Sequence, residues 1–122
     1  MSEQTKKRFL EKEKDSLLTS ANRVALLFVI RDSEYQGGIH GYGISDVLNT
    51  QTYGELDGSN AVYYAILRQM RLDGLVEQFE KPDDARKYYK LTAEGHEVCD
   101  KLWQYWQHYF NILKELSVAS KN

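Results

Sequence analysis

The chain has 122 residues, 42% of them hydrophobic, and sets 16 lysines and arginines against 18 aspartates and glutamates for a net charge of −2. That length supports one hydrophobic core, and the charge balance excludes a polycation that coats nucleic acid indiscriminately, so any phosphate contact must come from local clustering. One cysteine, Cys99, excludes an internal disulfide framework; no apolar run reaches the roughly 20 residues of a membrane helix, and the amino terminus lacks a signal-peptide core, which sets the expectation of a cytoplasmic protein without a membrane partner.

Residues 1–15, MSEQTKKRFLEKEKD, alternate lysine with glutamate and hold few apolar groups, which fits a charged arm or a solvated helical extension. From Ser16 to Ile30, the residues Leu17, Leu18, Val24, Leu27, Phe28 and Ile30 are dense enough for a buried first helix, ended by the polar, glycine-bearing loop Arg31 to Gly38. His40-Gly41-Tyr42-Gly43-Ile44 then leads into a short second helix, Ser45 to Thr50, with Ile44, Val47 and Leu48 spaced to face the core. Past Gly54 and Gly58, Ser59 or Asn60 can cap a third helix through its side-chain oxygen. This helix is expected from about Ala61 to Asp73, stopping at Gly74; Val62, Ile66 and Met70 mark its apolar face, and Asn60, Tyr63, Tyr64, Arg68 and Arg71 populate the rest.

Leu75 to Thr92 encodes a β-hairpin. Phe79 on the outgoing side and Tyr89 and Leu91 on the return alternate with polar neighbours, and Lys81-Pro82-Asp83-Asp84 supplies the turn. Its tip and return strand carry Lys81, Arg86, Lys87 and Lys90, which suits a phosphate backbone, and the order helix, helix, hairpin is that of winged-helix DNA-binding domains. The last helix is expected from about Ala93 to Ser117. Val98, Leu102, Tyr105, Tyr109, Ile112 and Leu116 form one apolar row, and Trp103, Trp106, Phe110 and Leu113 a second. A band this wide exceeds what one small domain covers, so it predicts a partner surface, most simply the same helix of a second subunit.

Catalytic constellations are missing from the sequence. His40, His96 and His108 lack metal-ligand spacing, Cys99 has no activating base beside it in sequence, and the cluster Gly37, Gly38, Gly41, Gly43 is not followed by the lysine and hydroxyl of a phosphate loop. The expectation is a non-enzyme with no metal and no cofactor.

Three motifs carry a family resemblance. His40 to Ile44 is similar to the hGYeI of the PadR family of winged-helix transcriptional regulators; SNAVYYAILRQMRLDGLV, residues 59–76, is similar to its SxGTLYPALRRLExxGLI; and RKYYKLTAEG, residues 86–95, is similar to its RRxYxLTxxG. The resemblance spans roughly Ala21 to Trp106, and the single helix after it looks like the small-chain subgroup. Val62 stands where the family usually has threonine and Ala65 where it often has proline.

The resemblance implies a mainly α fold with a small β-hairpin: a winged helix-turn-helix over residues 16–95, preceded by the charged segment 1–15 and followed by a long dimerisation helix and short tail over 96–122. It places Tyr42 near the DNA backbone at the amino end of the second helix. Ser59, Asn60, Tyr63, Tyr64 and Arg68 fall on the recognition helix or its cap, and Lys81, Arg86, Lys87 and Tyr88 on the wing. Within these, Tyr64, Arg86 and Lys87 are assigned to phosphates and Asn60, Tyr63 and Arg68 to base edges; a tyrosine ring packed between helices remains the alternative for each tyrosine. The function implied is a repressor that binds double-stranded DNA as a homodimer on a roughly palindromic operator, its subunits joined through Leu102, Trp103, Trp106, Tyr109, Phe110 and Leu113. Small relatives that sense drugs use a tryptophan of this helix, and Trp106 falls at the similar position, so a small aromatic effector between Trp103 and Trp106 is a further expectation. Two other readings stay open: a small-molecule sensor proper, and a protein-interaction adaptor that has lost DNA binding.

Overall fold

The computed structural model describes residues 1–56 and 60–119. Helix α1 runs Glu3–Asp32; after one turn of 3-10 helix, Glu34–Gln36, come strand β1 (Ile39–His40), α2 (Gly41–Gln51), α3 (Asn60–Leu72), β2 (Val76–Lys81), β3 (Asp84–Leu91) and α4 (Ala93–Ala119). The fold class is the expected one, mainly helical with a small sheet, in winged-helix order.

Of the two alternatives for the charged segment, the structure has the helical extension: Ser2 caps α1, its hydroxyl accepting from the Thr5 amide, and the helix continues unbroken through residues 3–15 into the domain. Other local expectations change. Burial starts only at Val24, and Leu17, expected in the core, is 57% exposed. The second helix starts at Gly41, four residues before Ser45, because His40 is its cap: Nδ1 accepts from the Gly43 amide at 3.0 Å. Histidine is not among the usual cap residues, so residue type alone does not mark this start.

The hairpin is two strands of a three-stranded antiparallel sheet in the order β1-β3-β2. The short β1 pairs Ile39 with Tyr89 and His40 with Tyr88. Between β2 and β3 the register sets Val76 opposite Leu91 and Lys81 opposite Asp84 across the Pro82-Asp83 turn, with an irregularity at Glu80/Lys81.

The core gathers Leu26, Leu27 and Ile30 of α1, Ile44 and Leu48 of α2, Tyr63, Leu67 and Met70 of α3, Val76, Tyr89 and Leu91 of the sheet and Cys99 of α4. On α3 the apolar stripe is therefore Tyr63, Ile66, Leu67 and Met70. Val62, expected on the core face, is 46% exposed. Ile66 and Met70 face inward as expected, but Tyr63 and Leu67 join them in place of Val62, and the Tyr63 hydroxyl donates to the Leu56 carbonyl. The helix ends as expected at Gly74, whose φ of 78° needs no side chain.

Thr92 joins the wing to α4: its hydroxyl donates to the Gly74 carbonyl at 2.6 Å and accepts from the Gly95 amide at 3.0 Å. Helix α4 then packs on α1, where Trp103 meets Phe28 edge to face with ring centroids 5.5 Å apart.

The orientation of α3 is testable by urea unfolding. Leu67→Ala is expected to cost about 2–5 kcal/mol, the range for truncating a buried leucine, and Val62→Ala about 0.5 kcal/mol or less, as at a surface site. Comparable losses at the two positions would return Val62 to the core.

Candidate nucleic-acid interface

Three elements converge on one cleft of about 260 Å³, lined by His40, Gly41 and Tyr42 of the β1-α2 junction, Tyr64 of α3, and Arg86, Lys87 and Tyr89 of β3. Gly41 is what permits the approach: a Cβ there would lie 2.7 Å from the Tyr64 phenol. Tyr42 is 70% exposed on the first turn of α2, its ring stacked near that of His40 at 6.5 Å. Arg68, one turn beyond Tyr64, is exposed on the same side of α3.

The expected contact residues divide. Tyr42, Tyr64, Arg68, Lys87 and Arg86 are solvent-facing, and Lys81 is partly so. Tyr63 is not: at 2% exposure it belongs to the core and cannot reach a base edge. Tyr88 lies on the wing strand β3 as expected, but its ring is buried, with Lys81 Nζ 4.1 Å above it and His40 edge-on at 5.6 Å. Ser59 lies outside the described residues, as does the side chain of Asn60.

The wing is less basic than its lysines suggest. Strand register sets Glu80 opposite Lys87 and Glu77 opposite Lys90, and both are ion pairs, the second at 3.6 Å. Arg86 is held by Asp84, which accepts from Nε at 3.0 Å and Nη2 at 2.6 Å, and also from the Tyr88 hydroxyl and the Arg86 amide. These bonds hold the Asp84 carboxyl far below the ordinary carboxylate range, with the Arg86 guanidinium the main cause. The remaining Arg86 nitrogen, Nη1, lies 3.0 Å from His40 Nε2. Burial, then the positive charge of Arg86, pushes the His40 imidazole below its ordinary value of 6.5.

Two features went unseen in the sequence: His40, at once helix cap and neighbour of the wing arginine, and the Glu34 carboxylate, which takes His96 Nε2 at 2.8 Å and ties the loop after α1 to α4. The Cys99 thiol, expected to be unreactive, is buried in the core, and burial pushes its pKa up.

A second, apolar groove of about 350 Å³ runs between α1 and α4, lined by Leu17, Tyr105, Trp106, Tyr109, Phe110 and Leu113. Of the two tryptophans expected to share a site, only Trp106 lines this groove, since Trp103 is turned onto Phe28.

The model of the PadR-like transcriptional regulator family matches residues 27–101, more than half of the chain. The chain belongs to this family. Among solved structures, this PadR-like chain is similar to a PadR-like transcriptional regulator from Bacillus cereus, at 25% identity and a TM-score of 0.69, covering 83% of this chain and 95% of that one. A PadR family regulator from Eggerthella lenta gives 18% identity and a TM-score of 0.70, with 90% and 89% covered. A MepR mutant from Staphylococcus aureus shares the fold at 14% identity and a TM-score of 0.59, with 93% and 81% covered. No curated protein sequence matches. Family membership makes the chain a DNA-binding transcriptional regulator, in a family of regulators rather than catalysts. Among the described residues, no helix is long and apolar enough to cross a membrane.

The His40 cap gives the PadR-like domain a pH-dependent stability. The folded chain holds His40 below its ordinary value, so the unfolded chain takes up the proton first as pH falls; the contribution is present above about pH 6.5 and is lost as pH falls from there through the lower folded-state value. Asparagine caps without titrating. Urea midpoints are expected to fall more steeply for wild type than for His40→Asn between about pH 7 and pH 5; parallel profiles would remove His40 from the balance.

Proposed function

We propose that the protein is a cytoplasmic, homodimeric repressor that reads a roughly palindromic operator. The observation that carries this reading is the convergence of the α2 start, the exposed side of α3 and the wing on one cleft, with Tyr42, Tyr64, Arg68, Arg86 and Lys87 presented together to solvent. In this reading α3 enters the major groove, where a guanidinium such as Arg68 pairs with guanine edges, while the two tyrosines, Arg86 and Lys87 hold phosphates and fix the register. Lys87 exchanges Glu80 for a phosphate at little cost, because exposed ion pairs are worth only about 0–1 kcal/mol, while Arg86 keeps Asp84 and has Nη1 to offer.

The dimer is supported by the apolar surface that folding leaves open. Tyr105, Tyr109, Phe110, Leu113 and Leu116 of α4 are exposed, as are Phe9, Leu10 and Leu17 of α1. A second copy laid on this surface covers it and sets two recognition helices about one DNA turn apart, roughly 34 Å, as palindrome reading requires. Trp106, within the groove, is the residue best placed to touch a flat aromatic effector at that interface.

Mobility shift with a salt titration separates the parts. The Arg86→Ala/Lys87→Ala double variant is expected to bind all duplexes more weakly and to lower the salt slope by about one to two units; an unchanged slope removes the wing from the contact. Arg68→Ala is expected to cost about 1–3 kcal/mol on the operator and much less on random DNA. The same loss on both duplexes makes it a phosphate contact. For the dimer, Phe110→Glu/Leu113→Glu is expected to sediment as a folded monomer and lose operator binding; a dimer that survives the two charges places the interface elsewhere.

A further inference from the structure

His40 faces two donors. Its Nδ1 lies 3.0 Å from the Gly43 amide and its Nε2 lies 3.0 Å from Arg86 Nη1. A neutral imidazole has one acceptor nitrogen, so only one of these contacts is a hydrogen bond. The Gly43 amide sits in the first turn of α2, where no carbonyl of the helix serves it, whereas Arg86 already donates through Nε and Nη2 to Asp84 and through Nη2 to Tyr88 at 3.1 Å. The amide therefore takes Nδ1, and the imidazole proton resides on Nε2. The N–H groups of His40 Nε2 and Arg86 Nη1 then meet at the cleft that Tyr42, Tyr64 and Lys87 also line. Two converging donors repel each other, and an anionic oxygen that accepts from both converts that repulsion into two charge-assisted hydrogen bonds.

We propose that this cleft seats one backbone phosphate of the bound duplex, with neutral His40 as a ligand donating from Nε2 beside Arg86 Nη1. The proposal rests on the DNA-binding reading above and adds to it a phosphate ligand whose tautomer is fixed by a helix cap. Asp84 becomes a positioning residue: by occupying the Nε and Nη2 edge of Arg86 it aims Nη1 at His40. The groups around the imidazole are Tyr42 on its own helix, Asp84, Arg86, Lys81 and Tyr88 from the hairpin, and Tyr64 across the cleft on α3. Of the charged three, Arg86 and Lys81 oppose protonation of the ring and Asp84 alone favours it, so the geometry selects the neutral donor.

A neutral donor has a distinct signature. It adds affinity but displaces no counterion, so its loss leaves the salt slope unchanged, unlike the loss of a lysine or arginine. His40→Asn keeps the cap but is too short to reach the Arg86 position. It is expected to melt as wild type does above about pH 7, to bind operator and random duplexes about tenfold more weakly, and to retain the wild-type slope of log affinity against log salt. Ring-nitrogen chemical shifts of the wild-type protein in ¹⁵N-labelled form, recorded without DNA, are expected to show the Nε2–H tautomer. Undiminished binding by His40→Asn, or a proton on Nδ1 in the wild type, overturns the proposal and leaves the regulator reading standing. A slope reduced by about one unit shows a charged ligand and overturns the neutral donor. A wild-type protein that binds no duplex overturns both.

Discussion

The orientation of α3 about its own axis is the constraint on which the rest of the structure depends. Tyr63, Leu67 and Met70 are driven inward by the apolar area they remove from water, on the order of 1.5–3 kcal/mol for each large side chain. Burying that stripe against α1, α2 and β2 leaves no freedom in which residues look outward. Tyr64 lines the cleft and Arg68 is exposed one turn beyond it because their neighbours at 63 and 67 are held in the core. The Tyr63 hydroxyl adds a fixed point by bonding to Leu56, on the far side of the loop that precedes the helix. A phenol that resembles a recognition residue in sequence thus aims the residues beside it.

Electrostatics in the wing follow a related logic. Strand register, set by Val76 against Leu91 at one end and the Pro82-Asp83 turn at the other, places the β3 lysines Lys87 and Lys90 opposite glutamates and Lys81 opposite Asp84. The wing of the free protein is consequently close to neutral, in keeping with a chain whose net charge is −2. Such an arrangement limits indiscriminate attraction to polyanions while leaving cations that a correctly placed phosphate can recruit, since exposed pairs are held weakly. Arg86 differs from the lysines because three groups, Asp84, Tyr88 and His40, surround it and fix its planar fork.

The two long helices have a different balance. Their inner portions are pinned to the domain by Phe28, Trp103 and Leu102, and their outer portions carry aromatic and aliphatic side chains that the chain itself does not cover. Helices of this length gain most of their stability from packing rather than propensity, so the outer turns of α1 and α4 have the most to gain from a second copy. Trp106 lies where the pinned and uncovered portions join.

Much of this was legible in the sequence. Helical periodicity, the Gly74 stop, the turn at Pro82 and the alternation of Phe79, Tyr89 and Leu91 each depend on nearby residues, and local physics decided them: a glycine at positive φ, a proline in a turn, a period of two or of three to four. The motif resemblance likewise rests on local strings, HGYGI and YKLTAEG, and it led to the correct family. Tertiary structure decided what local strings cannot encode. Val62 and Tyr63 are both apolar enough for a core, and only the packing of the core selected the ring over the isopropyl group. His40 caps Gly43 locally, but its place beside Tyr88 and Arg86, residues nearly fifty positions away, comes from β1 pairing with β3. Trp103 and Trp106 are equivalent in pattern, and the position of Phe28 on another helix separated them. For His40 and Trp103 the deciding partner lies far along the chain, and a sequence specifies such partners only through the packing of the whole core.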